Sequence, residues 1–447
     1  MLTKSNTIQL YDVFPKVVPT GLQVDIRIRR MDTRLMRNPQ YVKVSPVNRD
    51  HHGIFSAVPQ PLMQDEKDAN LFHVVCTLPD EQGYQLRIFD ETTDKLTVVL
   101  NVYALDDDLL SRTPLMGDMH SHTSYSDGKE APSFMAAEYR KNGYDFLTIT
   151  DHRRYAPSGI AAEAYAGLDL PFCIYRGEEV HAPGNYVHIV NFGADHSVNA
   201  LALAKTALED WRDTSGNEVW LEKVKERAKS VENCPVGVAP EIIAGIDMIA
   251  EEIRSGGGLC ILAHPHWLVN VRNVCDALTE KLLGEGHVDA LELIGGQSWY
   301  ENQTQVAMYY DLVRRGIDPP IVGSSDSHGT LHLHIGEPHA QYSMFTEERT
   351  LVFAERNTRD DIVSAVKEHM TLAVEMYKGQ YPRFYGPYRL VQYAVFLWQE
   401  YFPLREELYF EEGRLMHEYA AGVPGAGEKL SHRAKENAYF EEKYILR

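Results

Sequence analysis

Polar and apolar residues alternate strictly through Gln23-Val24-Asp25-Ile26-Arg27-Ile28-Arg29, the two-residue period of a strand with one buried face. Residues 41–44, 72–76, 85–89 and 96–103 continue the theme, separated by turn formers such as Ser45-Pro46 and Asn48-Arg49-Asp50. Short strands with no helical stretch between them predict a small all-β sandwich over residues 1–113, with a linker at Asp106-Asp107-Asp108 and Pro114. From residue 115 the rhythm becomes strand, then helix. Strands are expected at 115–122, 146–149, 172–175, 186–192, 259–263, 288–294, 321–322 and 350–354. Helices are expected at 131–142, 247–254, 306–315 and 362–369, the first three stopped by glycines. Residues 197–245 interrupt the rhythm with two charged helical stretches, either a cover over a site or a peripheral decoration. Residues 379–447 are aromatic-rich and helical in spacing, as expected of an extension that packs on the preceding domain or makes a dimer contact.

Strand ends carry the chemistry. The first strand of the second region runs into His120-Ser121-His122, and two imidazoles two residues apart on extended chain face the same way. Asp127-Gly128 follows, near enough to turn a carboxylate back toward them. Later strands end in Thr150-Asp151-His152, Gly177-Glu178-Glu179, Ala263-His264-Pro265-His266 and Gly323-Ser324-Ser325-Asp326-Ser327-His328, and His188 lies within another. Ligands gathered at the carboxyl ends of strands predict an α/β barrel with its site at the mouth. Imidazole mixed with carboxylate suits Mn, Fe or Zn better than Ca or Mg.

Composition narrows the partners. Lys+Arg 44 against Asp+Glu 64 gives a formal net charge of −20, which disfavours binding of long nucleic acid. A metal cluster sets its own local field, so a small anionic substrate remains compatible. The five cysteines are widely spaced and form no C-x-x-C pair, as expected of buried reduced thiols. The first residues lack the apolar core of a signal peptide and no apolar run reaches transmembrane length, so a cytoplasmic protein with no membrane partner is expected, with homo-oligomerisation left open.

Read in order, H-x-H-x4-D-G, T-D-H, G-x-E followed by an H-I-V strand, A-H-P and G-S-S-D-S-H resemble the PHP (polymerase and histidinol phosphatase) family over roughly residues 115–375. The resemblance implies a distorted (β/α)7 TIM-like barrel over 114–378 and a two- or three-metal site. It implies that His120, His122 and Asp326 hold one ion, that Glu179 bridges it to a second bound by His188 and His264, and that Asp127, His152 and His328 hold a third. Glu179, His264, Asp326 and His328 are the expected catalytic groups. The activity implied is a metal-dependent hydrolase, a phosphoesterase acting on a small organic phosphate through a metal-bridging hydroxide; the alternative is an ester, lactone or amide cleaved by the same cluster.

Other residues carry competing readings. Glu178 and Glu179 point to opposite faces, and the family's G-x-E pattern selects Glu179. Asp118 and Asp151 are candidates to orient ligand imidazoles. Arg153 and Arg154 are candidates to grip a phosphate, against a solvated surface pair. Tyr125, Lys129, His181, His266, Trp267 and Trp299 are candidates for the substrate pocket. His51, His52, His332 and His334 read as surface loop.

Overall fold

The computed structural model describes residues 10–47, 59–330, 345–377 and 380–447. His51, His52, His332 and His334 lie outside the described residues. The chain forms two compact units: residues 1–112, 388–408 and 432–447 make one, and residues 113–387 and 409–431 make the other.

In the first unit, one sheet runs Tyr11–Phe14, Gln23–Arg30, Leu71–Thr77, Met63–Gln64. A second runs Val17–Pro19, Lys95–Leu105, Gln82–Asp90, Gln40–Pro46, Gln60–Pro61. The alternation read in the sequence holds residue for residue: Val24, Ile26 and Ile28 are buried, while Gln23, Asp25 and Arg27 are exposed. Both sheets contribute to one core, which includes Ile26, Val74, Leu86 and Val102. The unit is not all-β, however. Helix Tyr388–Glu400 packs on strands Gln82–Asp90 and Lys95–Leu105, with Tyr393 and Phe396 meeting Tyr103 at centroid distances of 5.2 and 5.3 Å. The expectation that this aromatic helix packs on the barrel is therefore corrected. Its partner is a sheet face that offers Tyr103. The expectation does hold for residues 409–431, where Glu412 and His417 pair with Arg140 and Glu138 of helix Pro132–Lys141.

The second unit is mixed α/β. A six-stranded sheet runs Cys173–Tyr175, Phe146–Thr148, Thr113–Asp118, Glu348–Ala354, Thr371–Glu375, Arg383–Tyr385. A five-stranded sheet runs Gly177–Val180, Ile189–Phe192, Leu259–Leu262, Ala290–Ile294, Ile321–Gly323. A single closed parallel ladder is not what the strands make. Thr113–Asp118 pairs antiparallel with Glu348–Ala354, and Gly177–Val180 pairs antiparallel with Ile189–Phe192. The latter two are joined by the eight-residue segment 181–188, which permits an antiparallel return and is too short for a parallel crossover. Helix Pro240–Ser255 lays Ile242, Ile246, Ile249 and Ile253 into the core at helical spacing. Helix Trp299–Arg314 starts earlier than the periodicity suggests, because Ser298 and Glu301 form a capping box.

The first of the two helical stretches expected within 197–245 is broken into Asn199–Ala202 and the 3-10 turn Thr206–Leu208, since Ala204 N–H bonds to the Ser215 carbonyl instead of continuing the helix. All five cysteines are free, but only Cys260 is buried and Cys275 is exposed, so the buried-thiol expectation holds for one of them. Among the described residues, no helix is long and apolar enough to cross a membrane.

Candidate metal centre

Backbone hydrogen bonds join the strand ends of both sheets. Thr150 N–H bonds to Ser121 O, Glu179 N–H to Thr150 O, and Ala263 N–H to His188 O. Ser324 N–H bonds to Ile294 O, His122 N–H to Ser327 O, and Asp326 N–H to His120 O. The segments bearing the motifs are thereby fixed to one another.

The strand Thr113–Asp118 ends before His120, yet His120 and His122 still face the same way, because Ser121 between them bridges Ser327. Their Nε2 atoms lie 3.2 Å apart. Asp326 Oδ1 is 3.3 Å from His120 Nε2 and 2.9 Å from His122 Nε2. The segment 326–328 is not extended: Asp326 takes a left-handed conformation at φ 46, which Asp tolerates better than most residues. That kink still lets His328 reach the cluster, with Nε2 3.3 Å from Asp127 Oδ2. His152 Nε2 approaches the same oxygen at 3.3 Å.

Glu179 lies at the centre. Its oxygens have imidazole nitrogens of six histidines around them: His152 at 2.6 Å, His188 at 2.8 Å, His181 at 3.2 Å, His264 at 3.4 Å, and His120 and His122 at 3.6 Å. Yet both oxygens are buried without a hydrogen bond, as are His188 Nδ1 and His264 Nδ1. A buried carboxylate crowded by ring nitrogens with no well-aligned hydrogen bond is costly, so a group that accepts lone pairs from all sides fits the arrangement. Glu178 points the other way. It accepts from Asn191, Ser197, Asn199 and the Val198 N–H, as strand alternation requires.

Donor atoms fall into overlapping sets, each within 4.8 Å: His122, Asp127, His152 and His328; His120, His122 and Glu179; His120, His264 and Asp326; Glu179, His188 and His264; His152, Glu179 and His181. All nine ligand positions named from the sequence come together. His181 joins them, two residues after Glu179 and just past the end of the strand Gly177–Val180. The mixed N/O donor set fits divalent transition ions.

The groups shift one another's protonation. Burial, with His152 and His328 nearby, pulls His122 down to about 3, so its ring stays neutral. Burial opposes charge on His152, but Glu179 and Asp127 outweigh it and push the ring up to about 10. Burial also works against the Glu179 carboxylate, and the surrounding imidazoles still hold it well below the usual range.

Several surrounding assignments change. Asp118 accepts from the His120 and Ser325 backbone N–H groups, Ser325 Oγ and Tyr139 OH. Asp151 accepts from Thr123 and Ser126. Both acids hold loop structure rather than ligand rings. His266 is buried against helix Trp299–Arg314, where its backbone N–H donates to Gln305 and Nδ1 meets Thr304 at 3.2 Å. It is a packing residue, turned away because His264 and His266 straddle Pro265. Trp267 stays at the cluster, 5.5 Å from the His264 ring.

Arg153 donates to the Trp211 carbonyl at 2.5 Å, and Arg154 donates to the Ala207 carbonyl at 3.1 Å. Both arginines thus hold the 197–245 insertion, and Trp211 of that insertion stacks on His152 at 5.7 Å and 22°. The insertion covers one side of the cluster. Tyr125, Lys129 and Trp299 are exposed at the surface, and no described side-chain contact ties them to the ligands.

Glu292, which the motif reading passed over, bonds His120 Nδ1 at 2.9 Å. A lone acid inside the apolar strand Ala290–Ile294 was the available signal.

No family model matches the chain, and no curated protein matches it. Among solved structures, it is similar to a two-domain protein of Bacteroides vulgatus containing a predicted PHP-like metal-dependent phosphoesterase. Identity there is 16%, the match covers 59% of this chain and 65% of that one, and the TM-score is 0.38. It is also similar to a metal-dependent phosphoesterase of Bifidobacterium adolescentis, with 20% identity, 56% and 94% coverage and a TM-score of 0.34. A third is an amidohydrolase of Chromobacterium violaceum with bound sulfate and no metal, with 20% identity, 51% and 89% coverage and a TM-score of 0.30. At these TM-scores the likeness carries no weight of its own, and this chain spans less than two thirds of the Bacteroides protein.

Proposed function

We propose that the second unit is a metal-dependent hydrolase, built as a distorted barrel, that cleaves a phosphate ester of a small organic molecule. The observation that carries this reading is Glu179: a buried carboxylate, unbonded at both oxygens, facing six imidazoles. His120, His122 and Asp326 would hold one divalent ion, Glu179 with His188 and His264 a second, and Asp127, His152 and His328 a third. Such ions, Mn, Fe or Zn, supply water activation near neutral pH and neutralise charge on a phosphoryl group. Three ligand carboxylates against three divalent ions would leave the donor set net positive, which favours an anionic substrate in an otherwise acidic chain. Glu179 and Asp326, each shared between histidines of the cluster, would help hold the ions. Trp211 and Trp267 line the site beside His152 and His264.

One observation favours the second reading, cleavage of an ester, lactone or amide. Arg153 and Arg154 each commit a guanidinium N–H to an insertion carbonyl, and of the two only Arg153, with Nη2 3.4 Å from His181 Nδ1, also reaches the cluster. A panel of phosphomonoesters, phosphodiesters, lactones and amides, assayed with native and chelator-stripped protein, separates the readings. Phosphate release that disappears on chelation and returns with Mn, Fe or Zn is the expected result. Turnover of lactones or amides alone would replace the phosphoesterase reading.

A further inference from the structure

We propose that Glu292 is a positioning residue that fixes two ligands of the cluster at once, an inference that rests on the metal-site reading above. Glu292 is the one charged residue of the strand Ala290–Ile294 and is fully buried. Its two oxygens serve different ligands. Oε2 lies 2.9 Å from His120 Nδ1, and Oε1 accepts from the backbone N–H of His264 at 3.2 Å. His120 belongs to the donor set with Asp326, and His264 also belongs to the set with Glu179 and His188. One carboxylate therefore spans two prospective ion positions without being a member of either set.

The chemistry follows from what a carboxylate can do. An ionised carboxylate only accepts, so the ring hydrogen of His120 resides on Nδ1. The lone pair is then left on Nε2, the atom facing His122 Nε2 at 3.2 Å and Asp326 at 3.3 Å. A carboxylate that fixes the tautomer of a ligand imidazole also raises its basicity. At His264 the same group holds a strained backbone, since His264 adopts φ 26 just before Pro265. The surroundings are built to keep Glu292 in place. A β-carbon on Gly295 would lie 2.4 Å from Glu292 Oε1, so only glycine leaves room for the carboxylate. Gln305 Nε2 donates to the Glu292 and Leu293 carbonyls at 2.6 and 3.0 Å, which anchors the strand end.

Glu292→Gln is the sharp test, because the shape is kept while one acceptor edge becomes a donor. If the amide oxygen serves His264 N–H, the NH2 group faces His120 Nδ1 and drives the ring hydrogen onto Nε2, the ligating atom. If the oxygen serves His120, two N–H donors collide at His264. Co2+ titration of wild type and variant, read by visible absorption and by affinity, is compared with the melting of each protein before metal is added. The expected result is Co2+ affinity lowered by about 10–100-fold with an altered absorption band, on a protein that still melts cooperatively. Should Glu292→Gln not fold, Gly295→Ala displaces the same carboxylate without removing its charge, and the same loss of affinity is expected. Unchanged affinity and an unchanged band in a folded variant overturn the inference while leaving the metal site intact. Failure of wild type to bind Co2+ overturns the metal-site reading, and this inference with it.

Discussion

Gly128→Ala adds one methyl group to the loop that carries Asp127. A β-carbon there would lie 2.4 Å from the His122 carbonyl oxygen, 2.5 Å from its carbon and 2.6 Å from the Thr123 nitrogen. These are backbone atoms, so no side chain can swing aside. Restoring van der Waals separation requires the loop to open by roughly 1 Å. Metal ligands tolerate about 0.2 Å. The displacement falls between His122 and Asp127, and so on the donor set of Asp127, His152 and His328. Overpacking of this kind costs about 1–3 kcal/mol. For a unit of this size that lowers the Tm by roughly 2–5 °C. Elemental analysis of dialysed, metal-loaded protein should find one equivalent fewer than in wild type, with a lower Tm in thermal unfolding. A full metal complement with an unchanged Tm would refute the reasoning, because it would mean that the loop is not held as described.

Arg140→Met should destabilise the second unit by about 3–5 kcal/mol in urea unfolding, since the buried Glu412 then loses the guanidinium that bonds it at 2.5 Å; a loss below about 1 kcal/mol would contradict this. Trp211→Ala should raise KM roughly 3–10-fold at unchanged metal content, because it removes the ring stacked on His152; loss of metal would give the ring a different role. Burial works against the Glu138 carboxylate, but His417 and Lys141 outweigh it and hold Glu138 below its ordinary value. Its depressed folded pKa adds stability above about pH 4.5 that disappears as pH falls through the folded value. The Tm gap between wild type and Glu138→Gln should therefore be present at pH 7 and vanish on acidification; a gap independent of pH contradicts it.

The gathering of the nine candidate donors was legible because most of them follow closely on a strand or lie beside one, and strand periodicity fixes which neighbour faces inward, as at Glu178 and Glu179. The sandwich strands were legible for the same reason, through the alternation at Val24, Ile26 and Ile28. What escaped depends on distant partners. Glu292 meets His120 across 172 residues of chain. His266 follows a ligand closely, yet Pro265 and the pull of helix Trp299–Arg314 turn it away. Arg153 and Arg154 sit at the rim as expected, but which acceptor they find depends on the insertion carbonyls, which no motif encodes. The register between strands likewise depends on tertiary pairing. The antiparallel pairing of Thr113–Asp118 with Glu348–Ala354 could not be read from either segment alone.

The most direct test of the metal centre is anomalous-difference density from crystals of protein loaded with Mn2+ or Zn2+. Two or three peaks are expected, each about 2.0–2.3 Å from donor atoms of the sets around Glu179, Asp326 and Asp127. Crystals that diffract well and show no anomalous peak within reach of Glu179, or peaks only at surface carboxylates, would contradict the account.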